Sequence, residues 1–216
     1  MNRLTGVSMR IKFLSVAMAV VMVVVCLTGC SGNFSKSAFI SAAKKNGMEE
    51  IKDTTKLNKI WAEPGETLAF CYDIENMHIF ESVGAPLTEY VSINDVKECA
   101  MAVESIGKTD SHGRCSTRVF YLTVKDNETA EKLYNSAKKP LVKPEEGQKN
   151  GVTYTISYQG PKTSQNKDST VELAMGVYLK DNQIVWIRSD FDDTLKNKSV
   201  EGFCSSLGLV SPYSLK

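Results

Sequence analysis

Apolar and polar positions alternate along this chain with periods that change from segment to segment, and each change predicts an element. Phe13 to Leu27 is a long uncharged, mainly apolar run. From about Ser35 to Asn46, Phe39, Ala42 and Ala43 share one face at helical spacing. Ser35 or Ser37 can cap that helix, and Gly47 supplies a left-handed stop. Leu68 to Asp73 predicts a strand, with Leu68, Phe70 and Tyr72 set against Ala69 and Cys71, and Met77 to Val83 is a second candidate strand. From Ile93 to Ile106 the set Val96, Cys99, Ala100, Val103 and Ile106 fits the helical repeat, so a helix is expected. A strand remains open there, because Cys99, Met101 and Val103 also alternate.

The strongest pattern runs from Cys115 to Lys139. Val119 to Val124 is rich in β-branched and aromatic residues, and Asp126 or Asn127 then caps a helix whose Ala130, Leu133, Tyr134 and Ala137 share a face. Residues 140 to 151, with two prolines, two glycines and a charge cluster, are expected to form a surface loop. Val152 to Tyr158 is a strand and Gly160 to Ser169 a polar loop. Val171 to Leu179 and Gln183 to Ser189 make a hairpin about Lys180-Asp181-Asn182, where Asp and Asn tolerate left-handed geometry. Asp193 or Thr194 opens a last helix carrying Leu195, Val200, Phe203, Cys204 and Leu207, closed by Gly208. Strands between four helices predict an α+β fold: a mainly antiparallel sheet covered by helices on one side, in a single domain over residues 35–216.

Composition narrows the class. The chain has 216 residues, 42% hydrophobic and 24% charged, ordinary for a globular protein and without a disorder or coiled-coil signature. Arg3, Arg10 and Lys12 are the basic residues of the first thirty positions, which hold no acid, so the remainder is slightly acidic. Nucleic acid, which wants a basic face, is not indicated as a partner.

The N-terminus carries the most specific signal. Basic residues, then the apolar run, then the small residues of Leu27-Thr28-Gly29 before Cys30 form the layout of an export signal. Leu27 to Cys30 resembles the lipobox of bacterial lipoproteins, whose signal peptidase cuts before the cysteine and whose processing lipidates its thiol. That resemblance implies a signal peptide over residues 1–29, a lipid-anchored tether over 30–34 with lipid on Cys30, and a cell-membrane location on the extracytoplasmic side. The rival is a retained signal-anchor helix, since residues 13 to 35 carry no charge and are long enough to span a bilayer. Ser31-Gly32-Asn33 reaches only about 10 Å when extended, which predicts a fold held close to the membrane. Lys44 and Lys45 can attract anionic headgroups there, though two lysines also read as a solvated face.

With Cys26 in the signal, Cys71, Cys99, Cys115 and Cys204 are left as candidate disulfide cysteines, with three possible pairings, or as small buried hydrophobes. Without a CxxC, neither a thioredoxin-like pair nor a zinc knuckle is indicated. His78 and His112 are the two histidines. His112 beside Cys115 suggests a nucleophile and base, but the spacing matches no known hydrolase motif, and a loop histidine before a strand cysteine is the simpler reading. Asp190, Asp192 and Asp193 suggest a hard-cation site, yet the glycine and glutamate of a calcium loop are missing, and a turn with a helix cap explains them better. No metal site, cofactor signature or catalytic set is assigned.

The mature chain also resembles the small uncharacterised lipoproteins of gram-positive bacteria. The matching features are Phe39 to Gly47, Val119-Phe120-Tyr121-Leu122 with Ala130 to Tyr134, and the ending Phe203 to Pro212. The resemblance implies a surface lipoprotein and brings no activity with it. The expectation is a membrane-anchored, non-enzymatic binding or interaction domain, whose partner is an envelope or membrane protein or a small ligand. The alternatives are an envelope hydrolase using Cys115 and His112, and a solute-binding lipoprotein serving a transporter.

Overall fold

The computed structural model describes residues 34–52, 66–72, 91–109, 113–163, 170–192 and 199–216. The expected signal segment over residues 1–29, Cys30, the expected strand over 77–83, His78 and His112 lie outside these. The chain divides into two compact units, Met1–Ser31 and Gly32–Lys216, and every described residue belongs to the second.

That unit is α+β. Helix α1 (Lys36–Lys45) precedes strands β1 (Glu49–Glu50), β2 (Glu66–Tyr72), β3 (Val96–Thr109) and β4 (Gly113–Val124). Helix α2 (Asn127–Ala137) leads to β5 (Glu145–Lys149), β6 (Val152–Thr163), β7 (Thr170–Lys180), β8 (Gln183–Asp192) and helix α3 (Ser199–Leu207). The strands form one eight-stranded sheet in the order β1-β2-β3-β4-β8-β7-β6-β5. Every adjacent pair is antiparallel except β1 with β2. Two runs of neighbouring strands therefore meet where β4 pairs with β8, and α2 carries the chain across one face to the far edge.

The expected helix at 93–106 is instead a short 3-10 turn, Ile93–Asp95, followed by β3. The reason lies in burial on both faces. Cys99, Met101 and Val103 point into one core and Ala100 and Ala102 into the other, all nearly inaccessible to solvent. A strand buried on both sides is apolar throughout, so the period-two signal vanishes and a helical repeat fits as well.

Helices cover both faces, which corrects the one-sided arrangement. On the first face Ala130, Leu133, Tyr134 and Ala137 of α2 pack with Phe120, Leu122, Val177, Ile184 and Trp186. On the second, α1 and α3 pack Phe39, Ala42, Val200, Phe203 and Leu207 onto Val119, Tyr121, Val185 and Ile187. The rings of Phe39 and Phe203 lie 5.0 Å apart, joining the two helices.

Local chemistry starts and stops these elements. Asp126 Oδ1 accepts from the Thr129 amide at 2.8 Å, capping α2. Ser35 accepts from Ala38 N at 3.3 Å at the start of α1, and Gly47 ends it in the left-handed region at φ 76°. The expected loop over 140–151 contains β5. It turns into β6 through Asn150 and Gly151, both left-handed at φ 53° and 76°, as a two-residue hairpin loop requires. Asp181, at φ 53°, makes the corresponding turn between β7 and β8. β6 runs on to Thr163, past the expected start of the loop at Gly160. The last helix is described from Ser199 onward, and residues 193–198 lie outside the description.

Candidate functional site

Strand register places one row of side chains across the middle of the first face: Val103 of β3, Arg118 of β4, Arg188 of β8 and Met175 of β7. Arg118 and Arg188 are thus direct cross-strand neighbours, a like-charge pair that costs stability unless negative charge is supplied nearby. Asp190 supplies some: Arg188 donates to it through Nε at 2.7 Å and Nη2 at 3.2 Å. Burial, and then the neighbouring Arg188, hold the Arg118 guanidinium below its ordinary value, while Asp190 pulls it the other way. The adjacent row brings Ser116 opposite Asp190, and the row on the other side pairs Phe120 with Trp186, whose rings lie 5.3 Å apart. The arginine row is therefore flanked on the same face by an aromatic pair. The fully buried Trp186 Nε1–H meets no hydrogen-bond acceptor among the described residues.

A guanidinium has five N–H donors, and Arg188 directs two of them to Asp190. Its side chain is 39% exposed, and a second positive charge stands alongside. That arrangement suits an oxyanion, which planar guanidinium groups hold bidentately.

The second face carries a different polar row. Glu104, Thr117 and Ser189 are cross-strand neighbours, all buried. Thr117 and Ser189 share a hydrogen bond of 3.0 Å, Ser189 and the Tyr213 hydroxyl one of 3.2 Å, and the Ser199 amide at the start of α3 donates to Glu104 at 3.3 Å. Lys216 pairs with the buried Glu172. These groups face α3 and the C-terminal segment, where they fix helix and tail to the sheet.

The predicted site residues are scattered. Cys71 and Cys99 are buried on the first face, on adjacent strands and diagonal to each other, since Cys71 stands opposite Met101. Cys204 lies on α3 over the second face, across the sheet from both. It is a free thiol that burial pushes up to about 12, so it stays protonated and unreactive at neutral pH. Cys115 stands in β4 opposite Ile106, and its side chain and His112 lie outside the description. The expected turn and cap at Asp190, Asp192 and Asp193 is corrected at the first two, because both lie in β8, with Asp190 bound to Arg188 and Asp192 opposite Val171; Asp193 lies outside the description. Among the described residues no group of three acids, cysteines or histidines could hold a metal ion, and no helix is long and apolar enough to cross a membrane.

The arginine pair was not singled out in the sequence. Its members are seventy positions apart and become neighbours only through the β4–β8 register. No protein-family model, curated protein or solved structure matches this chain.

Proposed function

We propose that this chain is an extracytoplasmic lipoprotein held to the membrane through lipid on Cys30, with residues 35–216 acting as one binding domain for an anionic group of an envelope partner. The observation that carries the binding part is Arg188, with donors to spare beyond Asp190, Arg118 beside it and an aromatic pair in the adjacent row. The lipobox-like Leu27-Thr28-Gly29-Cys30 behind an apolar run carries the anchor part.

The test is cross-linking in intact membranes of a bacterium that processes lipoproteins, comparing the wild-type chain with Cys30→Ala and Arg188→Gln. The expected wild type carries lipid, partitions into membranes and forms a discrete cross-linked adduct. Cys30→Ala loses the lipid, whereas Arg188→Gln keeps it and loses most of the adduct. A wild type without lipid overturns the anchor, and an adduct indifferent to Arg188→Gln overturns the binding face.

A further inference from the structure

Strand β5 ends the sheet order, and its residues Glu145, Glu146, Gln148 and Lys149 are exposed. The hairpin to β6 fixes which backbone groups of β5 are already used. Lys149 and Val152 flank a two-residue loop and so form a hydrogen-bonded pair. Counting back by twos, Gly147 with Tyr154 and Glu145 with Ile156 are bonded pairs as well. Glu146 and Gln148 therefore turn their N–H and C=O groups outward, away from β6.

We propose that this outer edge pairs antiparallel with the same edge of a second copy, about a two-fold axis at Gly147. In that register Glu146 stands opposite the second copy's Gln148, and Gln148 opposite its Glu146. These are the outward-facing residues of both strands, so each pair exchanges both of its backbone bonds. Gly147 meets Gly147 at the close, non-bonded position, where neither brings a side chain. Glu145 stands opposite Lys149 twice over. The sequence Glu-Glu-Gly-Gln-Lys is thus charge-complementary to itself in this register, whereas a shift by one residue removes those ion pairs and mismatches the outward groups. Charged residues on an edge discourage pairing with an arbitrary strand, and here they admit one partner.

The inference stands apart from the anchor and from the arginine face. With five residues a side, the contact belongs with small, weak interfaces. Zero-length carbodiimide coupling of the full chain, purified in detergent, tests it directly. Within one strand Glu145 and Lys149 are about 13 Å apart, too far for a direct amide, so a linked Glu145–Lys149 peptide reports two chains. Mixed light and heavy isotope labelling confirms that both chains contribute. The expected linked peptide drops roughly tenfold or more in Gln148→Pro, which deletes an outward donor from each chain and leaves every β5–β6 bond in place. An unchanged thermal melt shows that this variant folds. A second measurement mixes Glu145→Lys with Lys149→Glu. Sedimentation should show neither variant associating alone and the mixture associating, because both cross-chain ion pairs re-form. Absence of the linked peptide from the wild type, its persistence in Gln148→Pro, or a mixture no more associated than its parts overturns the proposal.

Discussion

The hydroxyl of Tyr178 donates to the carbonyl of Val210 at 2.7 Å, tying the C-terminal end of β7 to the chain that leaves α3. The ring reaches that carbonyl by lying flat over Gly176, two residues earlier on the same face of the strand. A Cβ at Gly176 would come within 2.7 Å of two ring carbons. Gly176→Ala should therefore push the ring off its acceptor and destabilise the fold by about 1–3 kcal/mol. Tyr178→Phe, which keeps the ring and removes only the hydroxyl, should cost about 1 kcal/mol. Denaturant melts of both variants check the order; an equal loss would mean that the ring's position is not set by the missing Cβ.

Cys204 lies beside that tyrosine, and both groups are held neutral by burial, with the thiol up to about 12 and the phenol well above its usual range. A group whose folded value is raised contributes stability that is fully present below its unfolded value and is lost as pH climbs through the folded one. For Cys204 that window opens near 9 and closes near 12. The melting temperature should fall steeply above pH 9, and Cys204→Ala should flatten that fall while lowering the melting temperature at pH 7 by a packing loss. Parallel pH slopes in the two proteins would contradict this assignment.

Helix α2 depends on a single side chain at its start. Asp126→Ala removes the acceptor of the Thr129 amide and should cost about 1 kcal/mol, whereas Asp126→Asn or Asp126→Ser should recover most of it. Asp126 is also held below its ordinary value, mainly by that hydrogen bond, so its contribution should be present at neutral pH and fade as pH drops below the carboxylate range. Chemical denaturation at pH 7 and pH 3 measures both effects.

The ring contact between Phe39 and Phe203 joins α1 to α3. Each ring is fully buried, so either alanine substitution should cost about 3–5 kcal/mol. The double variant should cost less than their sum, because the second deletion enlarges a cavity already present and loses the ring contact only once. A strictly additive double-mutant cycle would show that the helices are held independently.

The sequence made elements with local signals legible wherever they lie in the sheet. Helix α2, with its cap and one apolar stripe, and the β7–β8 hairpin both stand where the pattern puts them, because their signals are local. β3 misled because its two faces are both buried, and β5 was hidden because an edge strand facing water carries no apolar alternation at all. Its turn was nevertheless present in the sequence, since Asn150-Gly151 is a strong hairpin signal within the expected loop. The arginine pair was illegible for another reason: like charges are brought together by long-range register, which no local window contains. Cysteine count suggested pairings that placement constrains, with Cys204 on the opposite side of the sheet from Cys71 and Cys99.

The seam between β4 and β8 also governs how this chain is assembled. Thr117 and Ser189 bond across it from positions 72 residues apart, while most other strand neighbours are close in sequence. The two halves of the sheet can form from local pairings, and the seam must wait for the longest loop closure among the strand pairings. Until it closes, Val119, Phe120, Tyr121, Val185, Trp186 and Ile187, all destined for complete burial, lie along two bare edges. The yield of soluble protein then depends on how fast one pairing is completed, and a newly made chain is most prone to clump during that interval.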